Sequence, residues 1–202
     1  MTSPVAARSR SARPLTCGSS APVKAGERFE NPSGETWIEV LAAPDGGEQR
    51  DLVVRRMQKP GKGKLVPHVH LDYTERFKVE QGRATVRRAG RKMELGAGEE
   101  VVIAPGETHL NAYNASDDEL VMVHSFEPAG EFILAFVETF CHLTRSGRTD
   151  RQGEVPLSAV FAVADATDSQ SFAAGLPHGL QRSVLAPLGA RVARLRGYEL
   201  RI

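Results

Sequence analysis

Two short stretches of the chain hold residues whose types and spacing suit metal chemistry. The first runs from His68 to Gly82 and reads HVHLDYTERFKVEQG, and the second reads APGETHLNAYN and supplies a third histidine, His109. Imidazole nitrogens together with one carboxylate form a donor set that binds divalent transition metals. We therefore predict a site for one divalent ion, Fe(II), Mn(II), Ni(II) or Zn(II), with His68, His70, Glu75 and His109 as ligands.

The alternation of side chains along a β-strand explains how these residues would meet. His68 and His70 are two residues apart, so both side chains can point to one face of a strand. Glu75 is five residues beyond His70, and an unbroken strand would send it to the opposite face. We therefore predict a turn between residues 71 and 74 that resets the alternation.

The same alternation predicts which residues surround the metal site. After the turn, Phe77 and Val79 share the face of Glu75, while Asn111 and Tyr113 share the face of His109. Glu75 and Tyr113 are the candidate catalytic residues, and Glu75 would act as a base if it detached from the metal. The predicted substrate-lining residues are Phe77, Val79, Asn111, Tyr113 and Arg56.

Two further residues allow more than one interpretation. Arg56 would grip a substrate carboxylate if it faced inward, whereas at an exposed strand end Arg55 and Arg56 would both be solvated. His124 falls within a predicted strand, where it is a core or edge histidine or, if it faces the site, a proton shuttle.

The elements that must position these residues are short strands. Between Trp37 and Glu127, eight β-like runs are separated by turns rich in Gly, Pro and Asp, which is typical of a sandwich or barrel. After Pro128 the apolar residues recur at helical intervals and predict helices over Glu131 to Leu143, Leu157 to Ala166 and Gln181 to Leu195. We expect a disordered N-terminal arm over residues 1–26, a barrel over 27–130, and a helical extension over 131–202 that packs on the barrel or forms a dimer interface, with a lid over the site as the alternative.

Composition narrows the class of partner. Lys and Arg number 26 against 25 Asp and Glu, so the charge balance favours small molecules over nucleic acid or a membrane surface. Cys17 and Cys141 lie in unrelated contexts, which favours reduced thiols and a cytoplasmic location. No window reaches the roughly 20 apolar residues that a membrane span needs.

The two stretches resemble the paired motifs of the cupin superfamily. The first motif, HxH followed by Glu and Gly, corresponds to His68, His70, Glu75 and Gly82 with its spacing kept, and His109 occupies the histidine position of the second. The sequence departs from the pattern where Ala104 stands at the proline position, Tyr113 at the asparagine position and Lys62 at the leading glycine position; these departures leave the ligand set intact.

More closely, the chain is similar to single-domain bacterial cupins with a TERFxVxxG stretch and a helical tail. The matching segments are Thr74 to Gly82, the tripeptide at Ala186 and the dipeptide Gly197-Tyr198. The resemblance implies an all-β fold, the cupin double-stranded β-helix or jelly-roll barrel, with a C-terminal α-helical extension. It also implies a homodimer.

These observations leave three functions open. The leading prediction is a metal-dependent cupin enzyme that acts on a small organic molecule as a dioxygenase-type oxidoreductase. The second is an isomerase or cyclase that uses a redox-inert ion as a Lewis acid. The third is a cupin that binds a metal or a small molecule without turnover.

Overall fold

Antiparallel strands and a set of C-terminal helices make up the described part of the chain. The computed structural model describes residues 22–200, so most of the predicted arm over residues 1–26 lies outside the described residues. The strands are β1 (Arg28–Glu30), β2 (Thr36–Ala42), β3 (Leu52–Gln58), β4 (His68–His70), β5 (Thr74–Gln81), β6 (Arg83–Arg88), β7 (Arg91–Gly96), β8 (Glu100–Ile103), β9 (His109–Tyr113), β10 (Leu120–Glu127) and β11 (Ser171–Ala173). The helices are α1 (Glu131–Arg145), α2 (Leu157–Ala166), α3 (His178–Leu180) and α4 (Ala186–Leu195), with a π-helical segment, Gln181–Leu185, joining the last two.

The strands form two sheets that face each other. One has the order β1-β2-β3-β10-β5-β8, and the other has the order β11-β4-β9-β6-β7. Alternating residues of both sheets fill the space between them, as Phe77 and Met122 do from one sheet and Val86 and Ala112 from the other. The predicted all-β jelly-roll architecture with C-terminal helices is confirmed.

The strand alternation that was expected from the sequence is present in β5. Glu75, Phe77 and Val79 are buried, whereas Arg76 and Lys78 between them are more exposed. The strand ends at Gly82, which has a φ of 80°, and a Cβ there would lie 2.2 Å from the carbonyl oxygen of Glu119. Glycine is therefore required at this turn, because an added side chain would meet backbone and the positive φ would be strained.

The C-terminal segment packs against the open end of the barrel. All three predicted helices are present, although the third begins earlier and contains the π-helical segment. Apolar residues of α1 and α2, including Ile133, Phe140 and Val163, share one buried cluster with Ile38 and Leu52 of the first sheet. Within residues 22–200, no helix is long and apolar enough to cross a membrane.

One element of this segment was not predicted. The short strand β11 pairs antiparallel with β4, so that Ser171 lies opposite His70 and Ala173 lies opposite His68. The C-terminal segment therefore supplies a strand beside β4, the strand that bears two of the candidate metal ligands.

Candidate metal centre

The backbone brings three of the predicted ligands to one place. His68 on β4 is the register partner of His109 on β9, and their rings lie 4.3 Å apart. The chain then bends at Leu71 and Asp72, and β5 begins at Thr74, so that Glu75 points back toward the same pair. The expected reset of the alternation between residues 71 and 74 is thus present.

His68, Glu75 and His109 form a group that can hold a metal ion. One donor atom from each of the three lies within 4.8 Å of the others. Glu75 is the centre of the group, since its Oε2 lies 2.7 Å from Nε2 of His109. Glu75 and His109 are almost fully buried, whereas His68 is half-buried and lines a cavity.

His70 lies beside this group. Its Nε2 is 3.3 Å from Oε2 of Glu75, its ring stacks on Tyr73 with 4.0 Å between centroids, and the side chain is fully buried. Neither ring nitrogen makes a hydrogen bond. A buried imidazole without a hydrogen-bond partner is costly, and a bound metal ion would remove that cost. The donor set and this unsatisfied histidine fit a metal ion.

His124 is a further member of the site. Its Nε2 lies 2.5 Å from Oε1 of Glu75, the carboxylate oxygen that does not contact His109. Its ring is held between Phe77 and Phe126, with centroid distances of 4.3 and 4.2 Å. Alternation along β10 places His124 inward together with Met122 and Phe126, so strand parity was the signal in the sequence for this position.

The electrostatics of the site keep the carboxylate charged. Burial would raise the pKa of the Glu75 carboxyl, but the neighbouring His124 and His109 imidazoles outweigh burial and hold that pKa well below its usual range. Burial lowers the pKa of His68 from 6.5 to about 4 and also lowers the pKa of His124. An ionised carboxylate beside a neutral His68 is the protonation state that metal binding requires.

The metal group opens on a cavity of about 320 Å³. His68, Glu75 and Asn111 form its barrel wall, and residues of the C-terminal segment form most of the rest. The volume lies at the lower end of the range for small-molecule sites, about 300–1,000 Å³. The cavity is therefore large enough for a small organic molecule next to the metal group.

The structure places the five predicted substrate-lining residues in different surroundings. Asn111 lines the cavity, and its Nδ2 lies 3.4 Å from Oε1 of Glu75. Phe77 and Val79 are fully buried in the core between the sheets and do not line the cavity. Tyr113 is half-buried at the end of β9, also outside the cavity lining, with Lys64 Nζ 5.8 Å from its ring centroid. The alternation thus identified residues on the inward face correctly. It did not show which of them reach the cavity, because the cavity is lined by only part of the inward face.

Arg56 faces inward but already has a partner. Its guanidinium forms a buried ion pair with Glu154, a residue of the segment before α2, and also lies over the Phe140 ring at 4.6 Å. The amide of Gln58 is 3.5 Å from the same Glu154 carboxylate. Arg56 thus joins the C-terminal segment to the barrel, and no pattern in the sequence marks Glu154 as its partner over 98 positions.

Comparison with known proteins agrees with this fold and site. Residues 55–126 match the family described as "Cupin domain", and this stretch contains all four predicted ligands and His124. No curated protein matches the sequence significantly.

Solved structures with a similar fold include KdgF from Halomonas sp. (17% identity, 52% of this chain and 90% of that chain, TM-score 0.43) and a Cupin 2 conserved barrel domain protein from Salinispora arenicola (19%, 50% and 82%, TM-score 0.40). A predicted oxalate decarboxylase from Thermotoga maritima is also similar (19% identity, 52% of this chain and 94% of that chain, TM-score 0.43). The family match thus covers the barrel strands that carry the metal group, residues 55–126, and does not extend to the C-terminal helices.

Proposed function

We propose that this cupin is a metal-dependent enzyme that acts on a small organic molecule as a dioxygenase-type oxidoreductase. The observation that carries the proposal is the group formed by His68, Glu75 and His109, two of which, His68 and Glu75, line a cavity. A metal site built only for stability would be closed by protein ligands, whereas a reactive site needs a substrate position beside it.

The chain's own residues would hold the ion and control the protons around it. His68, His70, Glu75 and His109 would be the ligands, and a bound Fe(II), Mn(II) or Ni(II) would supply a centre at which an organic molecule and dioxygen react. His124 would hold the second oxygen of Glu75, so that the carboxylate keeps one orientation. Residues that hydrogen-bond to a metal ligand without contacting the metal orient the ligand in many metal sites.

The contacts of Glu75 favour oxygenase chemistry over isomerisation. Its oxygens lie within 3.4 Å of nitrogen atoms of His70, His109, Asn111 and His124. A carboxylate whose Oε1 is held by His124 and Asn111 is less free to leave the metal and act as a general base. Chemistry that depends on the metal and dioxygen does not require Glu75 to detach.

Oxygen uptake tests this proposal. Oxygen consumption by protein reconstituted with Fe(II) is measured with an oxygen electrode in the presence of catechol or acetylacetone, two small molecules that chelate metals through oxygen atoms. Zn(II)-loaded protein and the His109→Ala variant are the controls. We expect uptake that rises with iron content and is absent from both controls. Turnover under strict anaerobiosis would instead indicate the isomerase or cyclase alternative, and binding without turnover would indicate the non-catalytic one.

The proposal includes a cytoplasmic homodimer. Leu180, Val184 and Leu188 recur every four residues in the C-terminal helical segment and are 42–53% exposed together with Leu176. Exposed apolar side chains at this spacing are typical of a helix face that pairs with another copy. Sedimentation over a range of concentrations tests this, and a monomer at every concentration would contradict it.

A further inference from the structure

Most of the apolar side chains that line the cavity come from outside the matched cupin domain. Phe132 and Phe136 of α1, Val160 and Phe161 of α2, and Phe172 of β11 all line it. Residues 55–126 contribute the metal group and a smaller part of the lining, while the C-terminal segment contributes the larger part of the surface that a substrate would meet.

We propose that the cavity takes a predominantly apolar small molecule, alkyl or aryl in character, that carries one oxygen-bearing chelating head directed at the metal group. This inference rests on the proposed function, since the head is defined by the metal site. It deepens that function by naming the class of substrate.

The exposed part of the lining is partly apolar as well. Among the residues that line the cavity, Val66 is 44% exposed and Leu157 is 48% exposed, and Lys64 is also exposed. Lys64 is the only Lys or Arg in the lining, so a phosphorylated or polyanionic molecule would find one cation and no guanidinium.

Most of the polar groups in the wall are already engaged. Gln181 bonds to the backbone of Ala173 and Leu176, and the Tyr73 hydroxyl lies 3.4 Å from the Ser171 hydroxyl. Asp150 accepts hydrogen bonds from the backbone amides of residues 152 and 154. A polyhydroxylated molecule would therefore lose its hydrogen bonds to water and find few replacements, which is unfavourable.

One buried polar atom beside the metal group makes no hydrogen bond. Asn111 is 5% exposed, its Nδ2 faces Glu75, and its Oδ1 makes no hydrogen bond. Asn111 therefore belongs to the surroundings of the metal group. The apolar wall and the metal group together describe a molecule with one polar end.

A series of alkyl hydroxamic acids tests the proposal, because the hydroxamate head chelates metals through its two oxygens. Their affinity for Zn(II)-loaded protein is measured by titration calorimetry from acetohydroxamic to octanohydroxamic acid. Each buried methylene is expected to lower the Kd by roughly fourfold until the cavity is full. Equal affinity across the series, or tighter binding of oxalate than of hexanohydroxamic acid, would overturn the proposal.

Two matched variants locate the effect in the C-terminal segment. Ala164→Phe fills part of the cavity from α2. It is expected to weaken the binding of octanohydroxamic acid by about tenfold or more while leaving the Kd of acetohydroxamic acid unchanged. Ala166→Phe places the same side chain on the exposed side of the same helix and should leave the whole series unchanged. Equal effects of the two variants would contradict the assignment of the wall.

A second series separates this inference from the metal proposal. The 1-alkanols from butanol to octanol lack a chelating head and are titrated into metal-free protein. If the protein takes up no Zn(II) but alkanol affinity still rises with chain length, the proposed function fails and the apolar cavity stands. If Zn(II) and acetohydroxamic acid bind but neither series depends on chain length, the metal site stands and the substrate class is wrong.

Discussion

Gln181 ties the C-terminal helices to the strand that neighbours the metal ligands. Its side chain is 4% exposed; its Oε1 accepts a hydrogen bond from the amide of Ala173 at 2.8 Å, and its Nε2 donates to the carbonyls of Ala173 at 2.9 Å and Leu176 at 3.0 Å. Since β11 pairs with β4, these bonds hold the segment that flanks His68 and His70. We expect this one side chain to stabilise that whole arrangement.

Gln181→Ala removes all three hydrogen bonds. Each neutral hydrogen bond contributes about 0.5–1.5 kcal/mol to stability, and a buried group left without a partner costs more. Ala173 is half-buried and Leu176 is 42% exposed, so water replaces part of the loss. We therefore expect the free energy of unfolding to fall by about 2 kcal/mol, toward the lower end of the range of about 1.5–4.5 kcal/mol for three such bonds.

Urea unfolding followed by circular dichroism measures this change, and hydrogen exchange at the Ala173 amide shows where it occurs. Gln170→Ala is the matched control, because that side chain makes one exposed hydrogen bond, at 3.3 Å, to Asp168. We expect the control to lose at most about 0.5 kcal/mol. The reasoning is refuted if the two variants lose the same stability, or if Gln181→Ala leaves the Ala173 amide as slow to exchange as in the wild type.

Two further predictions follow from buried titratable groups. Burial raises the pKa of Glu154 from 4.5 to about 7, so the folded state binds this proton more tightly than the unfolded chain. The free energy of unfolding, measured with urea, should therefore fall as the pH rises from 4.5 to about 7. Glu154→Gln should flatten that part of the pH profile, and an unchanged profile would contradict the raised pKa of Glu154. Burial also raises the pKa of Cys141 to about 12, so in Cys17→Ser protein this thiol should not react with a disulfide reagent at pH 8 until urea unfolds the chain, and fast reaction of the native protein would count against its burial.

Strand alternation carried most of what could be predicted from the sequence. It placed Glu75 on the inward face, required a break between residues 71 and 74, and gave eight of the eleven described strands to within one residue at each end. These features are local, because each depends on the periodicity of a few neighbouring side chains and on turn residues such as Gly82. The inward position of His124 is also a local feature, because it follows from the alternation of side chains along β10.

Features that depend on distant contacts could not be predicted in this way. β11 is three residues long and exists because β4 offers it an edge, and Glu154 meets Arg56 only after the C-terminal segment has folded onto the barrel. The position of Phe77 also depends on distant contacts. The sequence predicts it in the cavity wall, whereas the structure places it in the core between the sheets. Periodicity gives the face on which a residue lies, but the depth at which a cavity begins depends on which other segment covers it.

The metal content of the purified protein tests the central claim most directly. Elemental analysis after reconstitution should find one divalent transition ion per chain in the wild type and in His142→Ala, whose imidazole on α1 lies outside the metal group. His109→Ala and Glu75→Gln should lose the ion. As a control, an unfolding curve measured in the presence of a chelator should show that each metal-free variant is folded. Full and equally tight metal binding by His109→Ala would contradict a site built on His68, Glu75 and His109.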